Sequence, residues 1–195
     1  NWTAGVIEGQ GRATYANGMV YEGSFKGARN DGQGRMTYPD GYVYDGAWRD
    51  GQRHGNGTAT YADGTTYAGG FVAGMREGQG TLTTKDGFRY EGGWRSGEID
   101  GEGVATYANG MRYEGSFAEG RQQGKGTLTG PDGYSYTGDW AAGVKAGQGR
   151  ITYPDGSVYE ASMSADGRWL AFYSLATDLV PQDDDDTADA YVWRL

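Results

Sequence analysis

Residues able to do acid–base, metal or phosphate chemistry are few in this chain. His54 is its single histidine. It falls in an apparent loop, with no nucleophile that the sequence would place beside it, so it reads as solvated and not as a catalytic base. Gly9-Gln-Gly11 and similar pairs resemble fragments of phosphate-binding loops. They precede strands rather than helices, and they lack the Lys-Ser/Thr that would reach phosphate and metal. Asp183, Asp184, Asp185 and Asp186, with Asp189 just beyond, are the metal candidates. Ca²⁺ takes roughly six to eight oxygen ligands, and clustered carboxylates supply oxygens. The run lacks the Asp-x-Asp-x-Asp-Gly spacing of a calcium loop, so a solvated acidic loop is the favoured reading. With no cysteine there is no disulfide framework and no thiolate metal site. No catalytic residue, cofactor or small-molecule substrate is expected.

The dominant feature is a period. A tyrosine returns every 23 residues, at Tyr21, Tyr44, Tyr67, Tyr90, Tyr113, Tyr136 and Tyr159. Six full repeats fill 21–158, and 1–20 is the tail of an earlier one. A strict short period signals a stacked array whose units cannot fold alone. With that tyrosine as position one, position three is Gly in every full repeat, and position five is aromatic. Positions twelve and fourteen are both Gly, as in Gly55 and Gly57, and positions twenty and twenty-one read Asn-Gly or Asp-Gly. Tyr-x-Gly-x-Trp alternates, so as a strand it sets Tyr, Gly and Trp on one face. Gly57-Thr-Ala-Thr-Tyr61 alternates as well. The Asn/Asp-Gly pair predicts a tight hairpin with both central residues at positive φ, and the Gly-rich stretch from position seven to twelve makes the other connection. With 38 glycines in 195 residues a helical reading fails. The glycines at positions three and fourteen are expected to give aromatic rings a flat backbone to lie on. Position five alternates Trp and Phe while position sixteen alternates small and large, as in Trp48 with Ala59 and Phe71 with Leu82, until Trp140 with Ile151 breaks the pattern in the last full repeat. Constant total volume predicts that these two positions touch.

Tyr44 to Gly64 resembles a MORN repeat (membrane occupation and recognition nexus), and so do its neighbours over about residues 1–162. Departures are few: Ala28 for the Gly of position eight, Thr84 and Gly130 for the Tyr of position eighteen, and Ala161 for the Gly of position three. The resemblance implies an all-β, elongated, single-layer antiparallel sheet of successive hairpins. It also implies work as a scaffold, a dimerisation module or an adaptor beside an enzyme domain, and binding to acidic phospholipids has been attributed to such repeats.

From Ser164 the pattern changes. Residues 164–195 resemble part of a TolB-like β-propeller blade. They are too short to close a propeller, so a β cap over 163–195, closing the array of 1–162, is the alternative reading. The chain starts mid-repeat, which suggests a missing natural N-terminus. No signal-peptide pattern or transmembrane run is present, and the compartment is not indicated.

Net charge is −9. Residues 1–160 hold 15 Lys/Arg against 19 Asp/Glu, and 161–195 hold 2 against 7. Acidity of this kind argues against nucleic acid and disfavours, without removing, an anionic membrane as partner. The sequence therefore reads as a non-catalytic scaffold that engages a protein partner or a second copy of itself. Its candidate binding face is the ring row Tyr21, Phe25, Tyr44, Trp48, Tyr67, Phe71, Tyr90, Trp94, Tyr113, Phe117, Tyr136 and Trp140, since Tyr and Trp anchor interfaces. A ligand-binding array for lipid headgroups or glycans, or a regulatory module of an enzyme outside this stretch, are the alternatives.

Overall fold

The computed structural model describes residues 2–3, 6–164, 169–174 and 189–194. Every regular element among them is a β-strand. Two compact units divide the chain, Asn1–Ile99 and Asp100–Leu195.

In the first unit, β1 (Trp2–Thr3) pairs with β2 (Val6–Ile7) as a separate ribbon. Then come β3 (Gly9–Thr14), β4 (Val20–Lys26), β5 (Arg29–Thr37), β6 (Val43–Arg49), β7 (Gln52–Thr60), β8 (Thr66–Val72), β9 (Met75–Thr83) and β10 (Arg89–Arg95). Each of these is antiparallel to its neighbour in sequence, forming an open sheet. The second unit repeats the plan. It contains most of β11 (Glu98–Thr106), then β12 (Arg112–Ala118), β13 (Arg121–Thr129), β14 (Ser135–Ala141), β15 (Val144–Thr152) and β16 (Val158–Met163). β17 (Trp169–Ser174) and β18 (Asp189–Arg194) follow in the same antiparallel order, from Met163↔Leu170 to Trp169↔Arg194.

Both kinds of hairpin form, but their turns are exchanged relative to expectation. Asp50 and Gly51 both have positive φ, at 50° and 82°. They make a two-residue connection between Arg49 and Gln52, whose backbones pair. This is the turn whose twist matches the strands. Non-glycine residues take the same conformation in the other repeats, including Ala28, Ala73 and Ser96. At Tyr38-Pro39-Asp40-Gly41-Tyr42, only Gly41 is at positive φ (88°). Gly41 N–H donates to Tyr38 O at 3.1 Å, and Tyr38 N–H donates to Tyr42 O at 2.9 Å. That is a three-residue loop with a bulge at its glycine. Asp40 stays at negative φ and accepts from Tyr42 N–H through Oδ1 at 2.9 Å.

The core is a row of rings lying on a glycine floor. Gly46 and Gly57 face one another across β6 and β7, and the Tyr44 ring lies over both. A Cβ on Gly57 would land inside that ring, and one on Gly46 would sit 2.8 Å from Tyr44 Oη. The flat floor expected from the sequence is thus present. Tyr44 Oη donates to Ala47 O at 2.9 Å, three residues along its own strand. The same bond recurs from Tyr21, Tyr67, Tyr90, Tyr113 and Tyr136. All six tyrosines are fully buried, and for Tyr21, Tyr44, Tyr67, Tyr113 and Tyr136 burial pushes the phenol up to about 12.

Tyr21, Tyr44, Tyr67 and Tyr113 each meet two further rings edge to face. In the first unit the sequence of contacts is Phe25, Tyr21, Trp48, Tyr44, Phe71, Tyr67, Trp94, Tyr90, with centroids 5.0–5.5 Å apart. In the second unit it is Phe117, Tyr113, Trp140, Tyr136, at 5.0–5.3 Å. Such pairs contribute about 0.5–1.5 kcal/mol each beyond area burial. The register does not set positions five and sixteen opposite one another. Position sixteen lies opposite a tyrosine on both sides, as in Tyr44↔Ala59 and Ala59↔Tyr67, and position five lies opposite positions ten and twelve. The ring partners of position five are therefore tyrosines. The alternate tryptophans do one thing phenylalanine cannot: Trp48, Trp94 and Trp140 donate Nε1–H to the carbonyls of Gly34, Gly80 and Gly126 of the preceding repeat, at 2.9–3.2 Å.

Candidate functional site

The twelve rings expected to form a contact face are brought together, but not at the surface. The tyrosines are fully buried, and the Phe and Trp rings are 3–6% exposed. They leave almost no area for a partner. The correction follows from the glycine floor, which lets the tyrosines sink flat onto the backbone and lets the neighbouring rings close over them.

A second tyrosine row takes their place. Positions eighteen and twenty-two flank the three-residue loops on the aromatic side. Tyr38, Tyr42 and Tyr61 are half-buried and in ring contact, at 5.0 Å and 5.2 Å between centroids. In the second unit Tyr134 meets Tyr153 at 5.8 Å, and Tyr153 is 42% exposed. Burial raises the phenol of Tyr42, while the nearby guanidinium of Arg53 opposes that rise.

Position ten threads side chains through this row. Asn30 Oδ1 accepts from Tyr15 Oη at 3.1 Å. Arg53 donates through Nη1 to Tyr42 Oη, lies 5.4–5.8 Å from the centres of Tyr42, Tyr44 and Phe71, and donates Nη2–H to Gly74 O at 2.6 Å. Arg76 lies 4.2 Å from the centre of the Trp94 ring and donates to Gly97 O at 2.6 Å. Gln122 donates to Tyr107 Oη at 2.7 Å. Lys145 donates to Tyr134 Oη and lies 4.9 Å from the centres of both Tyr134 and Tyr136. Beside it opens a groove of about 620 Å³ in the second unit, walled by Met111, Leu128, Trp140, Val144 and Met163.

Ion pairs lie elsewhere. Arg12–Glu22, Arg35–Asp45 and Arg150–Glu160 cross between strands on the opposite face, at 2.8–3.5 Å, with each side chain more than half exposed. Pairs of that kind stabilise little. His54 proves to be in strand β7, not a loop. Among the described residues no group of three or more His, Cys, Asp or Glu could hold a metal. Asp183, Asp184, Asp185 and Asp186 lie outside the described residues; Asp189 opens β18.

The family model described as MORN repeat matches residues 1–20, 21–41, 44–66, 67–89, 90–112, 113–133 and 136–158. Its matches stop short of residues 164–195, so the resemblance of that stretch to a propeller blade gains no support. No curated protein matches the sequence. Among solved structures, similarity is found to the TCP domain of Drosophila melanogaster SAS-4 (dCPAP) in complex with a proline-rich motif of Ana2 (dSTIL). Identity is 16% and the TM-score 0.49, over 76% of this chain and 81% of that one. A CPAP G-box domain gives 17% and 0.46, over 82% of this chain and 96% of that one. A mutant of the TCP10 domain of Danio rerio CPAP gives 17% and 0.34, over 80% and 83%. Likenesses of this size decide nothing about function.

Proposed function

Because the chain belongs to the MORN-repeat family, we propose that it is a non-catalytic interaction module whose partner is a protein. The observation that carries this reading is the half-exposed tyrosine row, with position-ten polar groups set among its rings. Rings that are partly wet and carry a hydroxyl handle suit interfaces, because they offer apolar area and a hydrogen bond at low cost in side-chain entropy. Positions that vary between repeats give such a surface a sequence-specific character. Among the described residues, no set resembles an acid, a base and a nucleophile converging on one point. In this reading 163–195 closes the array as a β cap, with β17 and β18 continuing the strand order past β16.

The test is capture of a partner on the immobilised chain, followed by its loss. The double variant Tyr42→Ser with Tyr61→Ser should release it, while Arg35→Ala with Asp45→Ala on the opposite face should not. Release by the second pair alone would move the interface to the charged face. Retention on phosphoinositide vesicles that falls with salt would promote the lipid reading instead.

A further inference from the structure

Position ten of one repeat and positions eighteen and twenty-two of the repeat before it converge on the same spot. At the Arg53 site that spot is full. Tyr42 takes one guanidinium nitrogen, the Gly74 carbonyl takes the other, and Tyr38 stands beside them in contact with Tyr42. The equivalent spot four repeats later holds Lys145 and Tyr134, but position eighteen is Gly130. A tyrosine side chain is missing there. A Cβ on Gly130 would come 2.5 Å from Asp132 Oδ1, an exposed loop carboxylate that would have to shift, then 3.3 Å from Met111 Sδ and 3.5 Å from Tyr134 Cβ, and Met111 is itself in the groove wall. The φ of Gly130 is not in the left-handed region, so the backbone does not require glycine. Its consequence is space.

The cation left beside that space is under-used. Arg53 and Arg76 are each fixed to a turn carbonyl of the next repeat. Among the described residues, Lys145 donates only to the neutral Tyr134 hydroxyl. No carboxylate among them pairs with it; the nearest acid on its strand pair, Asp139, binds Lys125 at 2.7 Å on the other face. Burial pulls the Lys145 ammonium below its ordinary range, as expected for a cation without a counter-charge. Around it are Met111, Leu128, Trp140, Val144 and Met163, and Val144 is 51% exposed. One cation in an open apolar groove complements one carboxylate next to an apolar side chain. It does not complement a phosphate-rich polymer, which needs several cations and would meet a chain of net charge −9.

We propose that this groove is a docking site for an acidic peptide segment of a partner protein. A glutamate, aspartate or C-terminal carboxylate pairs with Lys145 Nζ, and an adjacent large apolar side chain enters between Met111, Leu128 and Met163. This rests on the protein-interaction reading above and adds where the partner binds and which chemistry it brings. Carboxylate binding replaces a neutral acceptor with a charged one in a partly dry setting, where such bonds are strongest.

The experiment selects random displayed peptides on the whole chain, then titrates the enriched peptides, labelled with fluorescein, by anisotropy. Enriched sequences should carry an acid beside Leu, Ile, Phe or Met. Lys145→Met keeps the apolar stem and should weaken binding about tenfold, in line with about 1.4 kcal/mol for a charge-assisted bond. Replacing the peptide's acid by its amide should cost as much in the wild type and nothing further in Lys145→Met. Gly130→Tyr, which restores the ring found in other repeats, should block the groove while the thermal melt stays cooperative. Arg150→Met, removing a cation from the opposite face, should change nothing. Enriched peptides without acids, or affinities indifferent to both Lys145→Met and Gly130→Tyr in folded protein, overturn the proposal but leave the interaction reading standing. Recovery of no peptide, together with no partner in the capture experiment, removes both. Anionic vesicles serve as the competing probe: salt-sensitive binding lost in Lys145→Met would assign the groove to lipid and overturn the peptide.

Discussion

In each compact unit two rows of tyrosine share a sheet face, and they do opposite things. The row at position one is identical in the six full repeats, fully buried there, and bonded through each hydroxyl to its own backbone. The row at positions eighteen and twenty-two reads Tyr in some repeats and Thr, Gly, Met, Phe or Ser in others. Its rings are half-buried, and Tyr42, Tyr107 and Tyr134 accept bonds from side chains that also vary. In a short-period array, what is copied without change is the spine, and what drifts is the surface available for recognition.

The largest expected effect that separates the rows comes from alkali. Burial raises five spine phenols from 10.0 to about 12. Below pH 10 their phenols are protonated in both states and the effect is absent. Between about pH 10 and 12 the unfolded chain releases protons that the folded chain keeps, and stability falls by about 1.4 kcal/mol per pH unit for each tyrosine. Five together lose about 14 kcal/mol over the two pH units, comparable to the roughly 5–15 kcal/mol of a typical domain. Circular dichroism and tyrosinate absorbance should therefore change in one cooperative step in that window. Gradual tyrosinate formation with the sheet intact would show that the spine is wetter than its burial implies.

Next in size is truncation. Tyr67→Ala should cost about 3–5 kcal/mol in denaturant unfolding, as large buried rings do, whereas Tyr61→Ala should stay within about 1 kcal/mol. Equal losses would erase the distinction between the rows. Gly80→Ala forces a methyl into the Tyr67 ring and should cost about 1–3 kcal/mol. Tyr44→Phe strands the Ala47 carbonyl, at about 1–3 kcal/mol if water cannot reach it. The smallest effect has the opposite sign. Ser96 sits at φ 50°, and Ser96→Gly should stabilise by up to about 1 kcal/mol, because only glycine takes that conformation freely.

The period, the strands and the order of hairpins were legible because alternation and glycine placement leave few other solutions. The choice of contact face was not. Aromatic type alone points to interface anchors, whereas invariance in six copies points to structure, and burial follows the second. The useful signal lay in the exceptions: Gly130 among tyrosines, and Arg53, Arg76 and Lys145 where Asn30, Ile99 and Gln122 also occur. The turns were misassigned for a related reason. An Asp-Gly pair serves a two-residue turn at Asp50–Gly51 and a bulged three-residue loop at Asp40–Gly41 equally well. Ala28 and Ala73 give no hint that they adopt positive φ. Volume alternation pairs Trp48 with Ala59, whereas the register sets Ala59 opposite Tyr44 and Tyr67 and Trp48 opposite Gly32 and Arg53.

The ring contacts carry a direction. Tyr21 touches Phe25 of its own repeat and Trp48 of the next, and Tyr44 does the same with Trp48 and Phe71. Each unit thus ends on a half-made joint that any following unit can complete. A gene encoding such a chain can lengthen or shorten by whole units without redesign, and a 46-residue step also keeps every tryptophan's staple to the glycine carbonyl before it. Loss of a single residue, by contrast, turns one strand over and severs the joint.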